Sequence, residues 1–155
     1  MFAGLEQVPA TIAEAMGVPE DTEVITRRRV LYDKNTDTPE EIGSSYLPAD
    51  IARGTYLEKR EVVPKALFLC VEELSGKRYH HARDQWIARS ATLEGTITLG
   101  LTQGAQVMHV IHTARAEDGA ILEVSESIWP ADRVTIIDEY LIDQEANVPD
   151  APSQI

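Results

Sequence analysis

The tripeptide Pro-Ala-Asp occurs twice, at 48–50 and at 130–132, each time directly after a strand-like segment (EEIGSSYL at Glu40–Leu47, AILEVSESIW at Ala120–Trp129). Other landmarks keep nearly the same spacing. Met16-Gly17-Val18 returns as Leu99-Gly100-Leu101 and Val24-Ile25 as Val107-Met108, an offset of 83 residues against 82 for the Pro-Ala-Asp pair. A period this long spans a supersecondary unit, so the chain reads as an internally duplicated helix–strand–hairpin–strand arrangement.

The local signals fill in that unit. Pro9–Met16 holds good helix formers and stops before Gly17, a helix-ending residue. Glu23–Asp33 is rich in Val, Ile and Thr and reads as a strand, Lys34–Pro39 as a polar hairpin loop, and Glu40–Leu47 as the returning strand. Pro48-Ala49-Asp50 starts a short helix. Between the units, Pro64 opens a longer helix with Leu67, Val71 and Leu74 on one face and Gly76 as its stop, and Lys77–Arg89 is extended. The second unit repeats the pattern: helix Ala91–Leu99, strand Gln106–Ala116, the tight turn Glu117-Asp118-Gly119, and strand Ala120–Trp129. Hairpins dominate and no βαβ crossover is visible. The predicted class is α+β, a mainly antiparallel sheet with flanking helices on one side.

Composition narrows the function. The 155 residues suit one domain, divided into an N-terminal remnant (1–8), a folded body (9–143) and an acidic, flexible tail (144–155). The net charge of −12 makes a poor general binder of phosphate backbones. A lone Cys70, in an apolar helix, excludes an intramolecular disulfide and a cysteine metal cluster. Neither a signal peptide nor 18 consecutive apolar residues occurs, so a cytoplasmic protein without membrane contact is expected. His80 and His81, like His109 and His112, diverge on extended chain, and Gly43-Ser44-Ser45-Tyr46 is not a nucleophile elbow. With no phosphate-binding glycine loop either, no catalytic residue, metal or cofactor is expected.

Strand alternation singles out candidate ligand-binding residues. Ile25, Arg27, Arg29 and Leu31 share one face, and Arg28 turns away with Val24, Thr26 and Val30. Two guanidiniums among apolar side chains need a partner, either an anionic ligand held by bidentate hydrogen bonds or the chain's own carboxylates. On the next strand Ile42, Ser44 and Tyr46 share a face, as do Leu122, Val124, Glu126 and Ile128 in the second unit. Glu126 is the counterpart of Ser44; it suits sugar or amine hydrogens, or pairing with Arg27 or Arg29. His112 is the counterpart of Arg29 and would bring a pH-sensitive charge. Tyr79, His81 and Arg83 alternate onto one face, where Arg83 either lines a pocket or is solvated. Trp86 and Trp129 read as packing residues, Trp129 at a dimer contact.

Several strings occur in a familiar order. Val24–Leu31 (VITRRRVL) and Ser44–Ala52 (SSYLPADIA) are followed by Trp86–Thr92 (WIARSAT), Leu99-Gly100-Leu101, and Asp118-Gly119 with Glu123–Arg133 (EVSESIWPADR). Together they resemble the UTRA domain, the effector-binding domain of the HutC-type branch of GntR-like bacterial transcription regulators, from about Pro9 to Tyr140. The resemblance implies a chorismate-lyase-like fold, a pocket for a small anionic or polar metabolite, and a homodimer. It also implies an N-terminal winged helix-turn-helix that reads operator DNA. Residues 1–8 are too few to hold that module, so DNA is expected to be reached only through a domain outside this chain. In the family a strand precedes the Pro9 helix, and MFAGLEQV replaces part of it. The candidate effector-binding set, from alternation, the offset and the resemblance together, is Arg27, Arg29, Ser44, Ser45, Tyr46, Arg83, His112 and Glu126. Ser45 belongs to the Ser-Tyr-Leu-Pro string although alternation places it opposite Tyr46. Two other readings compete with a sensor: a dimerisation module whose pocket is filled, and a chorismate-lyase-like enzyme.

Overall fold

Val24 and Ile25 are neighbours in sequence and both are fully buried. A strand allows this only where both faces of its sheet are covered, because adjacent side chains point to opposite faces. The computed structural model describes residues 1–141 and shows the covering directly. Six antiparallel strands, β1 (Phe2–Gln7), β2 (Glu23–Tyr32), β3 (Pro39–Pro48), β4 (His81–Ser90), β5 (Gln106–Arg115) and β6 (Ile121–Pro130), form one sheet in the order β1-β2-β3-β6-β5-β4.

Four helices surround it: α1 (Ala10–Met16), α2 (Ala49–Ala52), α3 (Leu67–Ser75) and α4 (Leu93–Thr98). α1 lays Ile12, Ala13 and Met16 on Val24, Tyr46, Ile111 and Val124. The opposite face carries Ile25, Leu47 and Leu122, packed against Ala52 of α2, Leu57 of a short 3-10 turn (Tyr56–Glu58), and Cys70 and Val71 of α3. Helices therefore flank the sheet on both sides, not on one. Cys70 is a buried core residue, as its apolar helix suggests.

Local chemistry explains the boundaries. α1 ends where Gly17 takes a left-handed φ of 69° and returns its N–H to the Glu14 carbonyl. Thr92 caps α4 by accepting from the Gly95 N–H, and Thr55 caps the 3-10 turn in the same manner from Leu57. The Pro-Ala-Asp triplets begin α2 and a second 3-10 turn, Ala131–Arg133.

The strand order places β1, β2, β3 and β4, β5, β6 as mirrored triplets about the β3–β6 contact. β5 begins 83 residues after β2, at Gln106 against Glu23, and β6 begins 82 residues after β3, at Ile121 against Pro39. The segment 1–8, set apart above as a remnant, supplies β1, which pairs with β2 from Phe2↔Arg28 to Gln7↔Glu23. One face assignment changes. The register slips between Ala114 and Arg115, and Leu122 turns into the α3-side core while Val124 stays with the α1-side core. Residues 134–141 adopt neither helix nor strand, and the tail expected at 144–155 lies outside the described residues.

Candidate functional site

The three consecutive arginines of β2 have three different environments. Arg27, on the Ile25 face, is 8% exposed and donates to the carbonyls of Leu57 (2.7 Å), Lys59 (2.6 Å) and Glu61 (2.9 Å). Burial lowers its pKa from the ordinary arginine value. The partner that this buried cation requires is thus the main chain between α2 and α3. Arg28 faces the other way, where its Nε donates to Ser44 Oγ at 3.4 Å and its guanidinium approaches Glu6 at 3.6 Å and the Phe2 ring at 5.9 Å. Arg28 thereby holds the edge strand β1. Arg29 is exposed, and among the described residues its side chain makes no hydrogen bond or ion pair.

Beside Arg29 lies a cavity of about 240 Å³ between β2, β3, β6 and the first turn of α3, bordered by Ser45, Ser125, Ser127, Glu123 and Phe68. The register builds its floor: Arg29 stands opposite Gly43, and Ser45 opposite Ser125. A Cβ on Gly43 would meet Glu41 Oε1 at 3.2 Å and lie in ordinary contact with Arg29 Cζ at 3.7 Å, so the Glu41 carboxylate and the Arg29 side chain both lie over this glycine. Ser127 donates to Glu41 Oε1 at 2.7 Å and Tyr79 to Glu123 Oε2 at 2.9 Å. Burial and the Glu123 charge push the Tyr79 phenol far up, so it remains a donor. The Ser45 and Ser125 hydroxyls make no side-chain hydrogen bond among the described residues. A guanidinium, hydroxyls and a carboxylate in one concave site can hold an anion that also carries hydrogen-bonding groups.

The opposite face holds a closed polar chain. Tyr46 donates to Glu126 Oε1 at 2.6 Å, His109 Nε2 stands 2.8 Å from Glu126 Oε2, and Arg89 Nε donates to His109 Nδ1 at 3.3 Å. An arginine nitrogen only donates, so Nδ1 accepts and Nε2 carries the proton given to Glu126. Burial by itself would raise the Glu126 carboxyl, but the hydrogen bonds from His109 and Tyr46 hold it below its ordinary value. Burial and the same carboxylate push the Tyr46 phenol up.

Glu126 consequently pairs with neither Arg27 nor Arg29. It sits opposite Ser44, which sits opposite Arg28, and all three side chains share the face away from the two other arginines. Ser44 and Glu126 border the cavity, while their polar atoms serve this second face. Tyr46 is fully buried under α1. His112 does occupy the place in β5 that Arg29 occupies in β2, and its Nδ1 meets Asp84 Oδ1 at 2.6 Å. Arg83 is exposed on the sheet edge, opposite Thr113, and Tyr79 precedes β4 and packs on the α3 side, apart from Arg83. Neither His112 nor Arg83 borders the cavity. Of the eight candidates, the structure brings Arg29, Ser44, Ser45 and Glu126 to it. Sequence reasoning missed Ser125, Ser127, Glu123 and Phe68. A signal existed for one: the 82-residue offset sets Ser127 against Ser45. Among the described residues no group of three or more His, Cys, Asp or Glu could hold a metal ion.

The family model of the UTRA domain matches residues 3–135. The chain belongs to the UTRA domain family. Its match begins inside β1, so that strand is part of the domain. Solved UTRA-like structures agree with the fold. The chain is similar to a protein described as the ligand-binding domain of a GntR-family transcriptional regulator from Bordetella bronchiseptica, with 23% identity, a TM-score of 0.73, and 91% of this chain and 87% of that chain covered. It is similar to the effector domain of PhnF from Mycobacterium smegmatis at 16% identity and a TM-score of 0.69, covering 88% and 83%. Against the longer PhnF chain the identity is 16% and the TM-score 0.71, with 92% of this UTRA chain covered and 61% of PhnF. No functionally curated protein matches. The architecture is the α+β, chorismate-lyase-like one of GntR effector domains.

Proposed function

We propose that this UTRA domain senses a small anionic or polar metabolite as part of a HutC-type GntR regulator. The observation that carries the reading is the Arg29 guanidinium, unpaired among the described residues, at a polar cavity floored by Ser45 and Ser125. A cation without a hydrogen-bond or ion-pair partner among the described residues, at a concave, hydroxyl-lined site, is poised for an anion. Occupancy would bias the arrangement of two DNA-reading modules attached outside this chain, by the ligand's differential affinity for the two arrangements. The domain works as a cytoplasmic homodimer in this reading. The stacked Trp86–Trp129 pair, with Trp86 46% exposed on the β4 edge, offers apolar surface for the second copy.

The test is a thermal-shift screen against phosphorylated and carboxylated metabolites, followed by product analysis of the best stabiliser and of chorismate. A sensor is stabilised and returns the compound unchanged. Turnover of chorismate would establish a lyase instead, and a dimer that no compound stabilises would mark a dimerisation module.

A further inference from the structure

A second cavity, of about 260 Å³, also borders Arg29 and is lined by Met1, Val62, Val63 and Leu67 along with Arg27 and Arg28. The two cavities share Arg29 and Leu67. Their chemistry differs sharply: one is floored by serines and a carboxylate, the other walled by aliphatic side chains. Val62 is 87% exposed and Phe68, at the rim of the polar cavity, 47%. Both leave apolar surface uncovered beside Arg29, whose side chain has no partner among the described residues. Val62 and Val63 follow directly on the carbonyls of Leu57, Lys59 and Glu61 that Arg27 holds, so the backbone leading into this wall is anchored to β2.

We propose that the ligand of this site is an anion bearing a short apolar arm, of the acyl-carboxylate class, with the anionic group on Arg29 and the arm over Val62, Val63 and Leu67. This rests on the effector-site reading above and specifies its ligand. A bare oxyanion would satisfy Arg29 and leave the aliphatic compartment unfilled. An arm laid into it removes that surface from water, and affinity rises about fourfold for each methylene buried.

The experiment is an NMR titration of the chain with inorganic phosphate, acetate, butyrate and hexanoate, followed at Arg29 Nε–H and the Val62, Val63 and Leu67 methyls. It is repeated in Arg29→Met, Leu67→Asn and Val62→Asn; the last replaces an exposed side chain and keeps the fold. The expected result is affinity that climbs from acetate to hexanoate, a climb reduced in Leu67→Asn and Val62→Asn, and binding of every carboxylate weakened in Arg29→Met. Equal affinities along the series, or phosphate binding alone, would overturn the apolar arm and leave the anion site standing. A climb indifferent to all three variants would place the arm elsewhere and overturn the assignment. Silence at Arg29 with all four probes overturns both the arm and the site.

Discussion

His109 Nε2 and Glu126 Oε2 stand 2.8 Å apart on adjacent strands, and the proton between them is assigned by a third residue, since Arg89 occupies Nδ1. Glu126→Gln keeps an amide oxygen to accept from the fixed His109 donor and an amide N–H to donate to the Tyr46 hydroxyl, which takes either role, but both bonds lose the carboxylate's charge, at a cost of about 1 kcal/mol. The pH dependence has a definite sign. The folded carboxyl lies below its ordinary 4.5, so its contribution is present above the unfolded value and is lost as pH falls through the folded one. Urea unfolding should show a wild-type advantage over Glu126→Gln that is constant above about pH 6 and shrinks in acid. An advantage that grows on acidification would contradict the network.

Arg27→Met should loosen the segment after α2. Three carbonyls lose a shared cationic donor, which predicts a loss of about 2–4 kcal/mol. Lys59, Arg60 and Lys65 in and beyond this segment are trypsin sites, so native-state proteolysis there should accelerate. Arg27→Lys should behave almost as badly, because a point charge on a flexible stem does not span three acceptors. Unchanged protection at these bonds would show that Arg27 does not hold the segment.

Thr26 is fully buried, and its Oγ1 has no hydrogen-bond partner among the described residues. Thr26→Val keeps the shape and removes an unsatisfied hydroxyl, so stability should rise by up to about 1 kcal/mol. Thr26→Ser, which keeps the hydroxyl and deletes a methyl, should instead cost about 1 kcal/mol. Paired thermal melts decide it, and a destabilised Thr26→Val would reveal a hidden partner for the hydroxyl.

Reading the chain by period and punctuation recovers β2 through β6 and α1 through α4 to within a few residues, because Gly17, Gly76 and the two Pro-Ala-Asp triplets end or begin elements through backbone geometry alone. β1 escapes that reading. Phe2–Gln7 has no alternating pattern and becomes a strand by pairing with β2, a tertiary fact. The two-sided covering also escapes, although Val24-Ile25 already carried it: two adjacent large aliphatics in a strand imply two cores. Within the site, alternation separates Arg28 from Arg27 and Arg29 correctly. It cannot tell Arg27 from Arg29, since what distinguishes them is the segment 57–61, some 30 residues distant in sequence, folding back onto one and not the other. Leu122 is misplaced because a register slip carries no local mark.

The central claim is that Arg29 anchors the effector. The most direct test compares the stabilisation given by the best anionic compound to the wild type, Arg29→Met and Arg83→Met. At 100 times its Kd the compound should add about 2.7 kcal/mol to the wild type and to Arg83→Met, and little to Arg29→Met. Stabilisation that survives in Arg29→Met would contradict the account, whatever the compound.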